Sequence, residues 1–282
     1  MVDRGANPQV AVSRRNQDTV HENDAGTTMP LQYHRWIALA VMLMLPAAAI
    51  SAQCTATSGT HRVALLELYT SEGCASCPPT DRWVSALPAR GFTSARILTL
   101  AFHVDYWNHL GWNDPYAQAR FSERQRLASA RNQARFVYTP QLVLNGKDHR
   151  RGIIRDDFPE KIAAINRDKP RAAITLKQAP PANGSLAVSA KVALDGMAEH
   201  SLAQTYLALY ENNLANQVGA GENRGKKLQH DFVVRELAGP FAADTSGALD
   251  IAYSFRLDRN WKPGDLHVAA FVQNQQSGDV LQ

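Results

Sequence analysis

The sequence contains only three cysteines in 282 residues and lacks the features of several common protein classes. Three cysteines are too few for a disulfide-rich scaffold. The 30 Lys and Arg residues nearly balance the 26 Asp and Glu residues, and the basic ones are scattered, so no nucleic-acid partner is expected. The longest apolar run, 36–50, has about fifteen residues and is short for a membrane-spanning helix. We find no internal repeat and no low-complexity segment.

The first 52 residues are expected to be a leader rather than part of the fold. Residues 1–28 are polar and aperiodic, which favours Met29 as the true start. A charged His34-Arg35 pair, the apolar run and a stretch of small residues at 47–52 then follow in the order of a secretory signal peptide. The sequence therefore predicts a periplasmic or secreted protein without stable membrane insertion after signal removal. Cys54 is expected to be a free or intermolecular thiol, and its role is not indicated.

Cys74 and Cys77 carry the strongest chemical signal in the sequence. They form a C-x-x-C motif after the apolar run 63–69, which predicts a buried strand, and before a segment to about residue 87 that can form a helix. A strand, a turn and a C-x-x-C at a helix start is the arrangement of a thioredoxin-type redox site. Two prolines, Pro78 and Pro79, suit the first helical turn.

Helix geometry suggests different roles for the two cysteines. The partial positive charge at a helix N-terminus stabilises a thiolate and lowers its pKa. Cys74, the more N-terminal and exposed sulfur, is therefore expected to be the nucleophile, and Cys77 the resolving thiol. A static disulfide and half of a zinc site are the alternatives, although no second C-x-x-C occurs. We expect no cofactor and no resident metal.

Residues 60–170 are predicted to form a thioredoxin-like α/β domain. The predicted order is β-α-β-α-β-β-α, with strands near 63–69, 95–103 and 141–144 and with Asn145-Gly146 as a hairpin turn. Thr139 and Pro140 precede the third strand. In that fold the proline is cis and faces the C-x-x-C motif, where its neighbours can pair with the backbone of a substrate.

Residues 171–282 are predicted to form a second, all-β domain. Six short apolar-alternating stretches, separated by Gly, Pro, Asn and Asp, indicate an antiparallel sandwich. They are predicted to be strands at 172–177, 185–193, 204–211, 229–237, 248–257 and 266–273. This half contains no cysteine. Its charged loop 219–227 is expected to be a solvated hairpin connection, with partner recognition as the alternative.

Four runs of residues give the sequence a specific resemblance to a known family. They are ELYTSEGCASCPP at 67–79, FHVDYWNHLGW at 102–112, YTPQ at 138–141 and ENRGK at 222–226. In these runs the chain resembles a family of secreted bacterial proteins known as domain of unknown function 1223 and classed as thioredoxin-like. The resemblance implies the fold but supplies no established reaction.

Several polar and aromatic residues follow the second predicted strand, at the sheet edge where the cysteines also lie. Ligands of open α/β sheets gather at such carboxyl ends. His103 is a candidate for hydrogen bonding to a thiolate or carrying its proton, with Asp105 to orient the imidazole. Tyr106, Trp107 and Trp112 are candidates for the walls of a substrate groove, with simple packing as the alternative.

The leading interpretation is an extracytoplasmic thiol–disulfide oxidoreductase that acts on protein thiols and disulfides together with an unidentified redox partner. One alternative is a Cu(I)-binding or copper-delivery protein in which Cys74, Cys77 and His103 are the ligands. The other is a non-enzymatic secreted binding module in which the cysteine pair is a structural disulfide. The direction of the redox reaction and the substrate are not indicated.

Overall fold

The apolar run that precedes the cysteines forms a strand, β2 (Ala64–Thr70), in which every residue is buried. A continuous apolar strand is buried in this way when both faces of its sheet are covered. Here α1 (Pro78–Ser85) and α3 (Phe158–Arg167) pack on one face of the strand, and α2 (Ala119–Arg131) packs on the other. The rigid position of β2 fixes the point at which the cysteine loop begins.

The structure is a computed structural model that describes residues 53–150, 156–197 and 200–282. The predicted leader, residues 1–52, lies outside the described residues. Besides β2 and the three helices, the described part contains twelve strands: β1 (Cys54–Thr57), β3 (Ile97–His103), β4 (Gln141–Leu144), β5 (Lys147–Asp148), β6 (Ala172–Gln178), β7 (Ser185–Leu194), β8 (Ala203–Glu211), β9 (Leu214–Gln217), β10 (Lys227–His230), β11 (Val233–Ala242), β12 (Ala248–Arg256) and β13 (Leu266–Asn274).

These strands form two large sheets and one ribbon. The largest sheet has seven strands in the order β13-β8-β11-β3-β2-β4-β5. Its central strands β2, β3 and β11 are parallel neighbours, whereas the outer pairs are antiparallel. A second sheet, β1-β6-β7-β12, is antiparallel throughout. The ribbon consists of β9 and β10 alone.

The predicted fold class, an α/β thioredoxin-like domain followed by an all-β antiparallel sandwich domain, is wrong. Strand β3 pairs in parallel with β11 at Ala101 and Val233, so strands from 60–170 and from 171–282 belong to one mixed sheet. The described part is mostly strand, with three helices of only eight, thirteen and ten residues. The apolar pattern identified strands, but it contains no information on which distant strand becomes the neighbour.

The second sheet covers part of the seven-stranded sheet. Strand β7 alternates between buried and exposed residues, as expected for a strand with one face on the core and one in solvent. Its buried side chains, Leu186, Val188 and Ala190, share a core with Leu207 and Leu209 of β8. The two large sheets therefore pack through the half of the chain that has no cysteine.

The β9–β10 ribbon is the element that the sequence analysis described least well. A single strand was predicted at 229–237, but β10 ends at His230 and β11 begins at Val233. The backbone turns between them at Phe232, which has a φ of +60°. Strand β9 was not predicted. As a result the chain leaves the large sheet after β8, forms the ribbon, and returns to the sheet as β11.

Candidate functional site

Cys74 and Cys77 lie in the loop between β2 and α1 and form a disulfide, with their Cα atoms 5.5 Å apart. Cys77 is the N-cap residue of α1, and two prolines occupy the first turn of the helix. Both cysteines are fully buried. The expectation that Cys74 is an exposed sulfur is therefore wrong, and the exposed residues of the motif are Ala75 and Ser76.

The Thr139–Pro140 segment lies beside the cysteine loop. Its peptide bond is cis. Ser76 connects the two segments, because its Oγ lies 3.3 Å from Cys74 Sγ and 3.4 Å from the carbonyl oxygen of Thr139. Trp107 Nε1 donates a hydrogen bond of 2.8 Å to Thr139 Oγ1. Of the residues singled out in the sequence, Thr139, Pro140 and Trp107 are thus next to the disulfide.

Glu72, two residues before Cys74, is completely buried, and its side chain connects the cysteine loop to neighbouring segments. Its Oε2 accepts hydrogen bonds from Trp112 Nε1 at 2.8 Å and from Asn216 Nδ2 at 3.0 Å. Its Oε1 lies 3.1 Å from His230 Nε2. A buried carboxylate is tolerated only when donors replace its lost hydration. Since Asn216 and His230 belong to the β9–β10 ribbon, this network ties the ribbon to the cysteine loop.

His103, at the end of β3, is fully buried and pairs with Asp114 rather than with Asp105. Its Nδ1 lies 2.7 Å from Asp114 Oδ2, and that same oxygen accepts the backbone N–H of Glu72 at 2.8 Å. Asp105 accepts a hydrogen bond from Ser122 Oγ instead. The predicted orienting role of Asp105 is therefore filled by Asp114, which follows His103 in the same loop and which the sequence analysis missed.

The pKa values of His103 and Asp114 are shifted in opposite directions. Burial alone lowers the pKa of His103, but the attraction of Asp114, assisted by Asp81 and Glu72, outweighs it, so the pKa of His103 is raised. Burial likewise favours the neutral acid at Asp114, yet the attraction and hydrogen bond of His103 lower the pKa of this carboxyl. The charged pair is thus favoured in the folded protein over a wide range of pH.

Asp81 belongs to a cluster of buried ionisable groups next to the cysteine loop. It lies on α1, one turn after Cys77, and accepts a 2.7 Å hydrogen bond from Thr70 Oγ1. Its second oxygen lies 3.8 Å from His230 Nδ1, and the His230 ring centroid is 4.9 Å from that of His103. Burial raises the pKa of Asp81 against the opposing attraction of the two histidines. We call Glu72, Asp81, His103, Asp114 and His230 the buried polar cluster.

Replacing Asp114 by asparagine is expected to remove the pH dependence that the pair gives to folding. The raised pKa of His103 adds stability that is complete below an unfolded pKa of about 6.5 and is lost as the pH rises through the folded value. The lowered pKa of Asp114 adds stability that is present above about pH 3.9 and is lost as the pH falls through its folded value. The free energy of unfolding of wild type should therefore exceed that of D114N by the largest amount, about 1–3 kcal/mol, between roughly pH 4 and 6.5.

Urea unfolding at a series of pH values checks this expectation. D105N is the matched control, because Asp105 bonds to Ser122 and not to the histidine. A wild-type advantage over D114N that stays constant from pH 4 to 8.5 would contradict the assignment of the pair.

The three aromatic residues predicted to wall a groove lie around the cysteine loop but are only half-buried. Tyr106 donates a hydrogen bond of 3.1 Å to Gln125 Oε1 on α2. Trp107 and Trp112 bond to Thr139 and Glu72, respectively. Each ring therefore has a structural hydrogen bond, and Trp112 lies between Glu72 and the 218–226 loop rather than beside an open groove.

The loop at 218–226, which joins β9 to β10, is not a free solvated connection as the sequence suggested. Asn223 is fully buried, and its Nδ2 donates to the carbonyl oxygens of Glu72 at 2.9 Å and Cys74 at 2.8 Å. Glu222 Oε2 accepts the backbone N–H of Ala75 at 2.8 Å. Both residues belong to the ENRGK run, which the sequence analysis singled out for its resemblance to the family. The sequence did not indicate that this run contacts the cysteine loop.

Three further observations concern the described part of the chain. Within 53–150, 156–197 and 200–282, no group of three or more His, Cys, Asp and Glu side chains is arranged to hold a metal ion. The helices of those segments are too short or too polar to cross a membrane. A pocket of about 530 Å³ lies at the opposite end of β2 from the cysteine loop and is lined mostly by apolar residues such as Leu65, Leu98 and Phe271.

Comparison with solved structures gives relatives in fold. The chain is similar to HBP35 of Porphyromonas gingivalis, with a TM-score of 0.61 and 17% identity over 80% of this chain and 74% of that chain. It is also similar to an X-ray crystal structure of a protein from Agrobacterium tumefaciens, with a TM-score of 0.51 and 24% identity over 69% and 79% of the two chains. No curated protein matches the sequence.

The resemblance to domain of unknown function 1223 noted in the sequence is confirmed, but its thioredoxin-like classification is not. The model of a family described as protein of unknown function (DUF1223) matches residues 65–273. This range contains both cysteines, the buried polar cluster and the β9–β10 ribbon. The chain therefore belongs to the DUF1223 family of proteins of unknown function.

Proposed function

We propose that the protein is an extracytoplasmic thiol–disulfide oxidoreductase in which Cys74 and Cys77 exchange electrons with protein thiols and disulfides. The observation that carries the proposal is the disulfide between Cys77, the N-cap residue of α1, and Cys74, which lies three residues before it. The N-terminus of a helix stabilises a thiolate and so favours the attacking form of a cysteine near neutral pH.

The proposed reaction proceeds through a mixed disulfide. In the reducing direction the Cys74 thiolate attacks one sulfur of a substrate disulfide, whose S–S bond breaks, and the second substrate sulfur leaves and takes up a proton. Cys77 then loses its proton and attacks Cys74 Sγ, which releases the first substrate sulfur as a thiol and forms the Cys74–Cys77 disulfide. Two electrons pass to the substrate, and a dithiol partner restores the cysteine pair. The oxidising direction is the reverse.

The neighbours of Cys74 support this chemistry. Ser76 Oγ, 3.3 Å from Cys74 Sγ, can donate a hydrogen bond to a thiolate there. Thr139 and Pro140 offer backbone beside the disulfide for pairing with an extended substrate chain. We assign Trp107 to the positioning of Thr139 through its hydrogen bond.

The proposed location is the periplasm or the extracellular space. Disulfides persist in oxidising compartments and are rare in the cytosol. The disulfide of the described residues and the signal-like sequence at 29–52 both favour this location. The proposed partners are protein thiols or disulfides and a separate redox protein.

Complete burial of the disulfide favours a second candidate function. A disulfide with no exposed sulfur is also typical of a structural brace in a non-enzymatic binding module. The two candidates differ in whether the cysteine pair turns over with a substrate.

A turnover assay tests the proposal. A fluorescent peptide with one internal disulfide is mixed with excess glutathione, and its reduction is followed with and without catalytic amounts of the protein. We expect wild type and C54S to accelerate the reaction equally, because Cys54 is exposed on β1, away from the pair. C74S should return the rate to the uncatalysed value. Wild type and C74S with equal rates would favour the binding module.

A further inference from the structure

Thiol–disulfide exchange at Cys74 needs a path to a sulfur that the closed protein does not offer. Both cysteines have 0% exposure. An attacking sulfur must reach the disulfide directly, so the rate of exchange depends on access. Some element that covers the pair must therefore move before exchange can occur.

The hairpin at residues 214–230, made of β9, β10 and their connecting loop, holds the cysteine loop by its backbone. Asn223 Nδ2 donates to Glu72 O and Cys74 O, on either side of Gly73. Glu222 accepts the N–H of Ala75. Three backbone groups of the loop are thus bound by two neighbouring side chains of the hairpin.

Further contacts keep those side chains in place. Lys226 Nζ donates to Asn223 Oδ1 at 2.9 Å, which leaves the amide nitrogen of Asn223 free to face the two carbonyls. The hairpin also approaches the loop closely, because a Cβ on Gly221 would lie 3.9 Å from Gly73 Cα and 3.6 Å from Trp112 Cβ. The contact is tight, but it consists of side-chain hydrogen bonds rather than strand pairing.

The hairpin is the part of this contact that can move. In the described residues β9 and β10 pair only with each other, and a two-stranded hairpin is marginally stable by itself. The cysteine loop, in contrast, is anchored by the central strand β2 and by α1. The hairpin is attached to the rest of the protein through side chains such as Leu228 and His230, which are buried, and segments outside the main sheet open at lower free energy than its core strands.

A residue with positive φ lies at each end of the hairpin, where a hinge is expected. Asn213, just before β9, has a φ of +55°, and Phe232, two residues after β10, has a φ of +60°. A bulky residue such as phenylalanine adopts this conformation rarely. Each position is also held by a side chain, since Asn213 N donates to Asp231 Oδ1 and Phe232 N to Asn212 Oδ1. Hinges absorb large changes of φ and ψ at a few residues of this kind.

We infer that the 214–230 hairpin controls access to the Cys74–Cys77 disulfide by turning about Asn213 and Phe232. Asn223 and Glu222 hold it closed at the cysteine loop, together with the bonds of Asn216 and His230 to Glu72. The biological purpose of this control rests on the proposed oxidoreductase function. The physical motion does not, since it concerns access of any thiol to the disulfide.

The test measures how fast dithiothreitol reduces the disulfide in the intact folded protein. Samples are quenched with a maleimide and weighed by mass spectrometry, where Cys54 adds one label at the start and reduction adds two. N223A removes two hydrogen bonds and should raise the rate about tenfold or more, and E222A removes one and should raise it about two- to tenfold. R224A is the matched control, because Arg224 is exposed in the same loop and, within the described residues, no hydrogen bond or ion pair joins its side chain to the cysteine loop. Its rate should equal that of wild type.

Low concentrations of urea distinguish hairpin motion from global unfolding. Local opening exposes little surface, so the reduction rate should respond to urea much less than the equilibrium unfolding constant does. Glu222 is exposed, so E222A should fold even if N223A does not. Rates for E222A and N223A equal to that of R224A, or a urea response equal to that of global unfolding, would overturn the inference. Loss of turnover in the peptide assay would refute the oxidoreductase proposal and leave this result unaffected.

Discussion

Replacing Arg124 by methionine is expected to lower the free energy of unfolding by about 3–5 kcal/mol, the cost of leaving a buried charge without its partner. The partner is Glu67 of β2, which is 2% exposed and whose Oε1 accepts a hydrogen bond from Arg124 Nε at 2.7 Å. The guanidinium of Arg124 also lies between three aromatic rings, 5.6 Å from Phe102, 5.0 Å from Tyr206 and 5.3 Å from Phe271. These rings come from both halves of the chain.

The environment of Glu67 explains why the loss is large. The strand is covered on both faces, so water cannot replace the guanidinium without opening the core. Burial, followed by the negative charge of Glu67, raises the pKa of the adjacent Tyr69 well above its usual range, so its phenol stays neutral and can donate a hydrogen bond to Glu67 but supplies no positive charge. Removal of the arginine therefore leaves Glu67 either charged and unpaired or protonated, and both states cost free energy.

Urea unfolding of R124M, R126M and the double variant E67Q/R124M measures the effect. Arg126 lies on the same helix but is exposed and pairs only with Glu123 at the surface, so R126M should cost less than about 1 kcal/mol. The double variant should recover part of the loss, because no charge is then left unpaired. A cost for R124M as small as that for R126M would contradict the description of this ion pair.

Replacing Cys77 by serine is expected to convert the protein into a stable mixed disulfide with its substrate. If Cys74 attacks and Cys77 resolves, C77S can perform the first step but not the second. In a C54S background Cys74 is then the only thiol. An excess of a disulfide-bonded peptide should label C77S nearly completely, and C74S about tenfold less or lower in the same time.

The asymmetry follows from the positions of the two sulfurs. Cys77 is the N-cap of α1 and its carbonyl accepts the first helical hydrogen bonds, from Thr80 and Asp81. Cys74 lies outside the helix, and in the open hairpin that we infer, the bond of Asn223 to its carbonyl is lost. Mass spectrometry of the intact protein gives the labelled fraction. Equal labelling of the two variants would contradict the assigned order of attack.

Local features of the fold could be predicted from the sequence. Asn145 and Gly146 were predicted to be a hairpin turn, and they have φ values of +46° and +79° between β4 and β5. Such a two-residue turn needs positive φ at both positions, which Asn and Gly adopt at low cost. The predicted strands at 185–193 and 248–257 correspond to β7 and β12, where alternating apolar residues face the core.

The assembly of the sheet could not be predicted in the same way. Alternation in the sequence indicates that a face is buried but not what lies against it, and the β3–β11 pair joins residues more than a hundred positions apart. The two halves were therefore assigned to separate domains. The positive φ of Phe232, where β10 gives way to β11, explains why 229–237 is not a single strand.

The candidate site was predicted where its residues are close in sequence, or where the expected strand order places them beside the cysteines, as for Thr139 and Pro140. Cys74 and Cys77 form their disulfide three residues apart. The groups that bury and bind their loop are distant, since His230 lies 158 positions from Glu72, and Asn223 lies 149 positions from Cys74. Choosing Asp105 instead of Asp114 as the partner of His103 has the same origin, because the turn of the loop, and not sequence distance, selects the carboxylate.

The reduction potential of the Cys74–Cys77 pair tests the central claim most directly. The full protein, with C54S to remove the third thiol, is equilibrated with a series of glutathione ratios, and the reduced fraction is counted by maleimide labelling and mass spectrometry. The proposed exchange with protein thiols predicts a potential of roughly −120 to −270 mV, the range of known thiol–disulfide enzymes. A pair that remains oxidised well below about −300 mV would be a structural disulfide and would contradict the proposal.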